Sequence, residues 1–306
     1  MTNEIMRAVT VTAFGGPEAI QIARLPIEQP GAGDVRIKTS AAAVHPVDLA
    51  TRAGLYPPNL PKGRRFTLGW DLAGVVDAVG SEVTGYAVGD AVVGFSYWSG
   101  GFVGTQAEYV NLSASSIALA PAGFPAIEAA TLPLNALTAD QALDLLDLPN
   151  GATLAITGAA GAVGGFAVQL AVARGLTVVG IAGEKDEELV RELGANSFVP
   201  RSATQVGKFD GLLDAALVGE PALDLVRDNG TFINVVGSLA PSSKRGIRVG
   251  SVEVRSDGAN LHKLVSRVES GGLTLRVGDT YPLDEVAAAH ERFGRGGVRG
   301  RLVLIP

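Results

Sequence analysis

The segment Thr153–Gly183, TLAITGAAGAVGGFAVQLAVARGLTVVGIAG, constrains the fold of this chain more than any other stretch. Two short apolar runs, Thr153–Thr157 and Leu176–Ile181, enclose a glycine-rich turn and a helical pattern of apolar residues. The turn has a G-x-x-G-x-x-G pattern, formed by Gly158, Gly161 and Gly164. In a strand–turn–helix–strand unit, such glycines let backbone N–H groups approach a pyrophosphate at the positive end of the helix. A chain with 40 glycines can also form a merely tight turn, but the surrounding unit favours a dinucleotide site.

The dinucleotide-binding residues that we assign in this turn are Gly158, Ala160, Gly161, Ala162, Val163 and Gly164. The end of the second strand then distinguishes between two nucleotides. An NAD-binding unit places an Asp or Glu there to bind the ribose 2′-hydroxyl. The corresponding residues here are Ile181, Ala182 and Gly183.

Cations follow this missing acid. Lys185 lies two residues after Gly183, and Arg201 lies beyond the next predicted helix and strand. A 2′-phosphate needs room and cations, so we predict that NADP(H) is the cofactor and that Gly183, Lys185 and Arg201 bind it. Glu184 and Asp186 count against a phosphate. Solvated surface charges are the alternative interpretation of the two cations.

Composition excludes several classes of protein and site. A chain of 306 residues, 47% hydrophobic, predicts about two domains. The net charge is −6 and no long run of Lys or Arg occurs, so we expect no nucleic-acid partner. The absence of cysteine excludes disulfides, thiolate zinc sites and iron–sulfur clusters. No membrane span and no signal peptide are indicated, so we expect a cytoplasmic protein with no membrane partner.

The first 125 residues are rich in strand patterns separated by turn signals, which favours a compact barrel-like β domain. The predicted strands are Arg7–Ala13, Asp34–Ala42, Leu72–Val79, Ala91–Phe95 and Thr105–Asn111. The loop Tyr97–Val103 is expected to shape a substrate pocket.

From residue 126 the pattern becomes helical and then alternates between strand and helix, which predicts a doubly wound, mostly parallel sheet. The predicted segments outside the glycine unit are the helices Ile127–Leu132, Thr138–Leu148, Glu187–Leu193 and Leu223–Asp228 and the strands Gly211–Ala216 and Thr231–Val236. Beyond Gly258 we predict a helix at Ala259–Ser270, a strand containing TYPL, a helix at Leu283–Phe293 and a strand at Gly300–Ile305.

Short motifs occur in a specific order along nearly the whole chain. They are FGGPEAI (14–20), AAAVHPVDLATRAGLYP (41–57), LGWDLAGVV (68–76), VGDAVVG (88–94), AEYV (107–110), ATLPLNALTADQAL (130–143) and, near the end, GGLTLRVGDTYPLDEVAAAH and GRLVLIP. Together they resemble the medium-chain dehydrogenase/reductase superfamily, in particular its zinc-free quinone oxidoreductase (zeta-crystallin-like) branch. The resemblance implies an α/β protein with a GroES-like β-barrel domain at residues 1–125 and 257–306. A Rossmann domain with a doubly wound parallel sheet is expected at residues 126–256.

The resemblance also implies that no zinc is bound. Zinc alcohol dehydrogenases of the superfamily carry a Cys where His45 stands, a His where Trp70 stands, and a third ligand where Leu134 stands. One histidine cannot hold a catalytic zinc ion, and the structural zinc lobe is also missing. Trp70 is interpreted as lining an apolar substrate pocket or as ordinary core packing.

His45 and Tyr56 are the candidate catalytic residues. The branch usually has an Asn at the position of His45, close to the nicotinamide; a histidine there can bind a carboxamide or a carbonyl oxygen, and it can also donate a proton. A hydrogen-bonded histidine without a chemical role is the alternative. Tyr56 borders the substrate cleft of the family and could polarise a quinone oxygen, or it could only pack. Asp48 is interpreted as structural, and His262 and His290 as surface or packing residues.

Three further residues match positions that contact the nicotinamide in the family: Thr138, Gly237 and Ser238. For Thr138 a helix-starting cap is the alternative. The strand Ile247–Val254 is expected to form the last edge of the Rossmann sheet. Because equivalent strands pair across a two-fold axis in the superfamily, we expect a homodimer.

The resemblance implies an NADPH-dependent, zinc-independent oxidoreductase that transfers hydride to a quinone or an α,β-unsaturated ketone. Such acceptors need orientation, exclusion of water and a hydrogen bond to the developing oxyanion, while solvent can supply the last proton. Two alternatives stay open: a tailoring reductase for one dedicated ketone or enone, and a non-catalytic NADPH-binding sensor or structural protein.

Overall fold

The computed structural model describes residues 4–56, 63–97, 103–203 and 207–306. The strands, in chain order, are β1 (Ile5–Val11), β2 (Ile20–Pro26), β3 (Asp34–Val44), β4 (Phe66–Thr67), β5 (Asp71–Val79), β6 (Ala91–Phe95), β7 (Tyr109–Ser113), β8 (Ile117–Leu119), β9 (Thr153–Thr157), β10 (Thr177–Ala182), β11 (Ser197–Pro200), β12 (Phe209–Asp214), β13 (Val226–Asn234), β14 (Arg248–Ser251), β15 (Val277–Pro282) and β16 (Arg301–Ile305). The α-helices are α1 (Pro46–Arg52), α2 (Ala126–Ala129), α3 (Pro133–Leu146), α4 (Ala162–Ala173), α5 (Glu187–Glu192), α6 (Gly258–Glu269) and α7 (Val286–Gly294).

The chain divides into two compact units. The first consists of Met1–Leu134, Ser256–Glu269 and Leu275–Pro306, and the second of Asn135–Arg255 and Ser270–Thr274. The first unit therefore reaches Leu134, beyond the predicted boundary at residue 125, because α2 packs against β3 and β5 of that unit. The short segment Ser270–Thr274 also departs from the prediction, since it joins the second unit, where Thr274 N donates to Gln169 Oε1.

The first unit is built on a seven-stranded sheet with the order β15-β16-β3-β5-β6-β8, in which β7 also lies beside β3. Its pairs are antiparallel, except that β15 runs parallel to β16. A second sheet has the order β2-β1-β4. Alternate residues of β3 point into a core that Val35, Ile37, Leu72, Val92 and Ile117 share. Because β16 pairs with β3, strands from two sequence segments of this unit belong to one sheet.

The second unit contains a six-stranded parallel sheet in the order β11-β10-β9-β12-β13-β14. The central strand β9 is apolar and buried, as expected for a parallel strand with both faces covered. The strand order reverses between β9 and β12, and ligands of such sheets bind beyond the carboxyl ends of the strands at this point.

Local pattern and tertiary pairing disagree in a few places. The helix predicted at Leu223–Asp228 is a short 3₁₀ segment, Glu220–Leu225, followed directly by β13, because Val226 is buried in the sheet core. The strand predicted at Thr105–Asn111 begins only at Tyr109, since Thr105 N and Gln106 N instead donate to the carbonyls of Gly69 and Leu68.

Two other boundaries differ from the predicted ones. The helix predicted at Thr138–Leu148 starts at Pro133 and ends at Leu146, where Asp147 has a left-handed φ of 48°. The predicted edge strand Ile247–Val254 is ordered as β14 over Arg248–Ser251 only. Residues 98–102 of the loop Tyr97–Val103 lie outside the described residues.

No helix within the described ranges is both long and apolar enough to cross a membrane.

His290 of α7 is a buried packing residue, 1% exposed. Its Nδ1 lies 3.3 Å from Nη1 of Arg52, whose Nε donates to the carbonyl of Gly15. Burial, followed by the positive charge of Arg52, lowers the pKa of His290 to about 3. The Arg52 guanidinium is itself near Glu18.

The low pKa of His290, about 3, predicts loss of stability in acid. A histidine in the unfolded chain titrates near about 6.5, so as pH falls the unfolded state binds a proton that the folded state excludes. The free energy of unfolding should therefore decrease from about pH 6.5 downward, by roughly 2–3 kcal/mol at about pH 4.5. His290→Gln should flatten this part of a urea-unfolding pH profile. The matched variant His262→Gln, at an exposed position of α6, should leave the pH profile of unfolding unchanged. A His290→Gln profile identical to that of the wild-type protein would contradict the prediction.

Candidate active site

The turn between β9 and α4 packs too tightly for side chains at its glycines. Gly158 has a φ of 64°, and a Cβ atom added to Gly164 would lie 2.2 Å from the carbonyl oxygen of Gly158. Gly161 N donates to the same carbonyl at 2.7 Å and precedes the first residue of α4. The first turn of an α-helix presents N–H groups without intrahelical acceptors and carries partial positive charge.

The structure therefore brings the predicted turn residues together at the carboxyl end of β9, next to the reversal of strand order. Ala160 and Ala162 are buried, and Val163 is half-buried. The turn at residues 158–164 is here called the nucleotide cradle. Its glycine backbone packs closely at the start of a 12-residue helix, an arrangement that fits the pyrophosphate of a dinucleotide.

Gly183 and Arg201 lie against each other at the end of β10. A Cβ atom placed on Gly183 would be 2.9 Å from Nη2 of Arg201, and Arg201 N donates to the carbonyl of Ala182 at 2.7 Å. Lys185 is exposed in the 3₁₀ segment Glu184–Asp186 that follows. The three residues predicted to bind the adenosine end, Gly183, Lys185 and Arg201, thus lie just after the ends of the neighbouring strands β10 and β11.

The two acids beside these cations are already engaged. Asp186 is buried, and its Oδ2 accepts a hydrogen bond from Gly183 N at 3.1 Å. Glu184 Oε1 accepts from Ser202 Oγ at 2.8 Å. Asp186 is thereby committed to the backbone of the turn, which weakens the argument that it replaces the ribose-binding acid.

The three residues expected near the nicotinamide lie in two places of the second unit. Gly237 and Ser238 are exposed in a short 3₁₀ segment, Gly237–Leu239, which follows the carboxyl end of β13. Thr138 is only 6% exposed and lies in the second turn of α3. Because α3 begins at Pro133, the interpretation of Thr138 as a helix-starting cap is wrong.

His45, a candidate catalytic residue of the first unit, is buried and held by a hydrogen bond. It precedes α1 with extended backbone (φ −120°, ψ 159°), and its side chain is 1% exposed. Its Nε2 lies 2.7 Å from Oδ1 of Asp71, the first residue of β5. The other oxygen of Asp71 accepts from Leu134 N, in the first turn of α3, at 3.0 Å.

His45, Asp48, Asp71 and Arg301 form a buried group that is here called the polar centre. Asp48 contributes to it through hydrogen bonds to the backbone. Its Oδ2 accepts from His45 N at 2.8 Å and its Oδ1 from Gly69 N at 2.9 Å. These bonds fix the entry to α1 and the turn before β5, in agreement with the structural role expected of Asp48.

Burial dominates the electrostatics of this centre. It lowers the pKa of His45, with the charge of Asp71 opposing and that of Arg301 adding to the effect. It raises the pKa of Asp48 to about 7 against the two backbone hydrogen bonds. It lowers the pKa of Arg301 to about 10, and the negative charges of Asp71 and Asp48 oppose this change. The centre is therefore a buried cluster of mutually compensating charges.

Asp71 and Arg301 are site residues that the sequence analysis missed. Asp71 directly follows Trp70 in LGWDLAGVV, and Arg301 is the second residue of GRLVLIP. A charged residue inside each otherwise apolar strand segment is the signal that could have identified them, because such charges are seldom buried unless paired.

An aromatic row lies beside this centre. The ring of Tyr56, 37% exposed, is tilted against Trp70 with centroids 6.0 Å apart. Trp70, 5% exposed, stacks on Phe95 with centroids 6.2 Å apart. The burial and stacking of Trp70 agree with its interpretation as core packing, and the lining of a substrate pocket stays a prediction.

A zinc ion does not fit the residues at the superfamily's ligand positions. His45 is bonded to Asp71, Trp70 is part of the aromatic row, and Leu134 is buried. Within the part of the chain that the structure describes, no group of three His, Cys, Asp or Glu side chains could hold a metal ion.

Known proteins resemble both halves of the chain. Residues 31–122 match the family described as the alcohol dehydrogenase GroES-like domain, and residues 184–304 the family described as zinc-binding dehydrogenase. The human quinone oxidoreductase is 31% identical, over 99% of this chain and 98% of that protein. An NADPH-dependent alkenal/one oxidoreductase of Arabidopsis thaliana chloroplasts is 29% identical, over 98% of this chain and 80% of that protein.

A solved structure is also similar over nearly the whole chain. The quinone oxidoreductase from Coxiella burnetii has a TM-score of 0.88 at 27% identity, over 99% of this chain and all of that one. The predicted fold class, a GroES-like β domain with a Rossmann-type parallel sheet, is confirmed. The chain is an oxidoreductase of a fold family that uses a nicotinamide cofactor. It belongs to the medium-chain dehydrogenase/reductase superfamily, in its quinone oxidoreductase branch.

Proposed function

We propose that this chain is an NADPH-dependent reductase that reduces a quinone or an α,β-unsaturated ketone without a metal ion. The proposal rests mainly on the residues at the three positions where zinc enzymes of the superfamily have their metal ligands. Here these residues are a histidine bonded to Asp71, a stacked tryptophan and a buried leucine. An oxidoreductase without a Lewis acid is suited to acceptors that are already electron-poor.

A bound nicotinamide dinucleotide would supply the hydride. The chain's own residues would orient the acceptor, exclude water and donate a hydrogen bond to the oxygen on which charge develops. Tyr56 is the proposed donor, since its hydroxyl belongs to the exposed member of the aromatic row. His45 is the second proposed catalytic residue, and Trp70 supplies an apolar wall behind Tyr56.

The cofactor would be held in three places. The cradle of Gly158, Ala160, Gly161, Ala162, Val163 and Gly164 would bind the pyrophosphate. Gly183, Lys185 and Arg201 would bind the adenosine end, because the Arg201 guanidinium packs against the bare Cα of Gly183 at the end of β10, where its charge can meet a 2′-phosphate. Thr138, Gly237 and Ser238 would contact the nicotinamide.

The function is tested by mixing the protein with NADPH and a panel of quinones and enones, followed at the absorbance band of the reduced cofactor. We expect turnover with several acceptors. Turnover with one narrow ketone or enone would instead indicate a dedicated tailoring reductase. Cofactor binding without turnover would indicate a sensor or structural protein, and would contradict the proposal.

The same assay tests independence from metal. Exhaustive EDTA treatment should leave the rate unchanged, and elemental analysis should find far less than one zinc per chain. A tightly held stoichiometric zinc, with loss of activity on its removal, would refute the metal-free mechanism.

Arg201→Ala should weaken binding of NADPH more than that of NADH, by roughly 1.5–3 kcal/mol, the size of a charge-assisted hydrogen bond. Fluorescence titration with both cofactors measures the difference. Arg191→Ala is the matched control, because Arg191 is an exposed arginine of the same unit, paired with Glu187 on α5. Equal losses for NADPH and NADH in Arg201→Ala, or a wild-type preference for NADH, would overturn the cofactor assignment.

Gly164→Ala should destabilise the nucleotide cradle. The added Cβ would approach the Gly158 carbonyl to 2.2 Å, so backbone must shift, at a cost of about 1–3 kcal/mol. Thermal unfolding and NADPH titration would both report the change. Gly207→Ala, where a Cβ would meet no atom of the described residues within 4 Å, is the control. A Gly164→Ala protein with wild-type stability and affinity would show that the turn is not a tight cradle.

The edge strand β14 supports a homodimer as the proposed assembly. It pairs with β13 on one side, and among the described strands nothing pairs with its other side. Such an edge is a template for a second copy related by a two-fold axis. Sedimentation at micromolar concentration should give the mass of two chains, and a monomer would contradict the proposal.

A further inference from the structure

One ring nitrogen of His45 has no hydrogen-bond partner among the residues that the structure describes. Its Nε2 lies 2.7 Å from Asp71 Oδ1, whereas its Nδ1 is buried and has no partner within the described ranges. Leaving a buried polar atom unsatisfied costs about 1–3 kcal/mol, so proteins retain such atoms for a reason. In a candidate active site, the simplest reason is a ligand.

The partner of Nε2 determines what Nδ1 can bind. A carboxylate only accepts hydrogen bonds, and Asp71 already accepts one from Leu134 N on its second oxygen. Nε2 therefore carries the hydrogen that is donated to Asp71. In a neutral imidazole only one nitrogen carries hydrogen, which leaves Nδ1 with a free lone pair. Burial lowers the pKa of His45, and the charge of Arg301 acts in the same direction, so the ring is neutral near pH 7 despite the opposing charge of Asp71.

We propose that His45 is a hydrogen-bond acceptor for a neutral ligand N–H or O–H group, and that Asp71 is the positioning residue that fixes its tautomer. The proposal rests on the proposed function for the nature of the ligand. Two groups have the required chemistry: the carboxamide N–H of a nicotinamide and a hydroxyl of the substrate. In this tautomer Nδ1 has no proton to donate. Of the roles open to His45, binding a carboxamide N–H is thus favoured over binding a carbonyl oxygen or acting as an acid.

The same geometry explains why an asparagine would serve at this position. An Asn amide can donate N–H to Asp71 and present its oxygen as an acceptor, as the Nε2–H histidine does. A leucine would remove both functions. Asp71→Asn would act differently, because an amide N–H can donate to Nε2 and so favour the opposite tautomer, with hydrogen on Nδ1.

The first test needs neither cofactor nor activity. Protein labelled with ¹⁵N at its three histidines is examined by NMR near pH 7, and the signal of His45 is identified by its loss in His45→Asn. We expect the neutral Nε2–H pattern, and in Asp71→Asn a shift toward the Nδ1–H pattern. An imidazolium or an Nδ1–H tautomer in the wild-type protein would overturn the proposal, whether or not Asp71→Asn folds.

The second test identifies the ligand group by comparing dissociation constants for matched pairs. NADPH is compared with its 3-acetylpyridine analogue, which has a methyl group in place of the carboxamide nitrogen. A hydroxynaphthoquinone is compared with naphthoquinone. One pair should show a preference of about tenfold for the donor-bearing member, equivalent to about 1.4 kcal/mol, and His45→Leu should abolish it.

The outcomes separate the two ligand sources and the two proposals. A preference for NADPH alone assigns the carboxamide, and a preference for the hydroxyquinone alone assigns the substrate. No preference in either pair, or one that persists in a folded His45→Leu protein, overturns the acceptor role. If the tautomer and a preference are found but no acceptor is reduced, the proposed function fails while this inference stands.

Discussion

The hydrogen bonds of one buried carboxylate hold the candidate active site of the first unit together. Asp71 begins β5, binds the ring of His45 at the start of α1, and accepts a backbone N–H from the first turn of α3. The N–H groups of a first helical turn have no intrahelical acceptor, so the carboxylate also satisfies part of the end of α3. Three elements distant in sequence therefore depend on one side chain. Its loss would remove a hydrogen-bond acceptor both from the buried ring of His45 and from the first turn of α3.

Asp48 and Arg301 support the buried pair of Asp71 and His45, one through the backbone and the other through its charge. Asp48 fastens the backbone on both sides of the centre, and Arg301 offers the positive charge that two buried carboxylates need. Buried charges of this kind add little net stability compared with apolar packing, but removing one of them is costly. The cluster is thus better understood as fixing one arrangement of α1, β5 and β16 than as a source of stability. In the second unit, the turn between β9 and α4 is instead fixed by glycine backbone packed on glycine backbone.

Sequence reasoning succeeded where the determinants are local. The bounds of β9 were predicted correctly, and the glycine turn lies where its spacing indicated, because tight turns are decided by nearest neighbours. It failed where distant segments decide. The helix predicted at Leu223–Asp228 gives way to β13, since burial of Val226 in the sheet outweighs local helical pattern. His45 was recognised from its motif, but its dependence on Asp71 and Arg301 involves partners 26 and 256 positions away, which no local pattern encodes.

The position of β16 has a consequence for the synthesis of the chain. The second unit is almost continuous in sequence, and its parallel sheet is complete once β14 has been translated. The first unit is different, because β16 must pair with β3, which emerges from the ribosome roughly 250 residues earlier. Until Arg301 arrives on that strand, Asp48 and Asp71 lack their cation. The sheet of the first unit therefore stays incomplete until β16 has been translated, and the charges around Asp71 are balanced only when that strand pairs with β3.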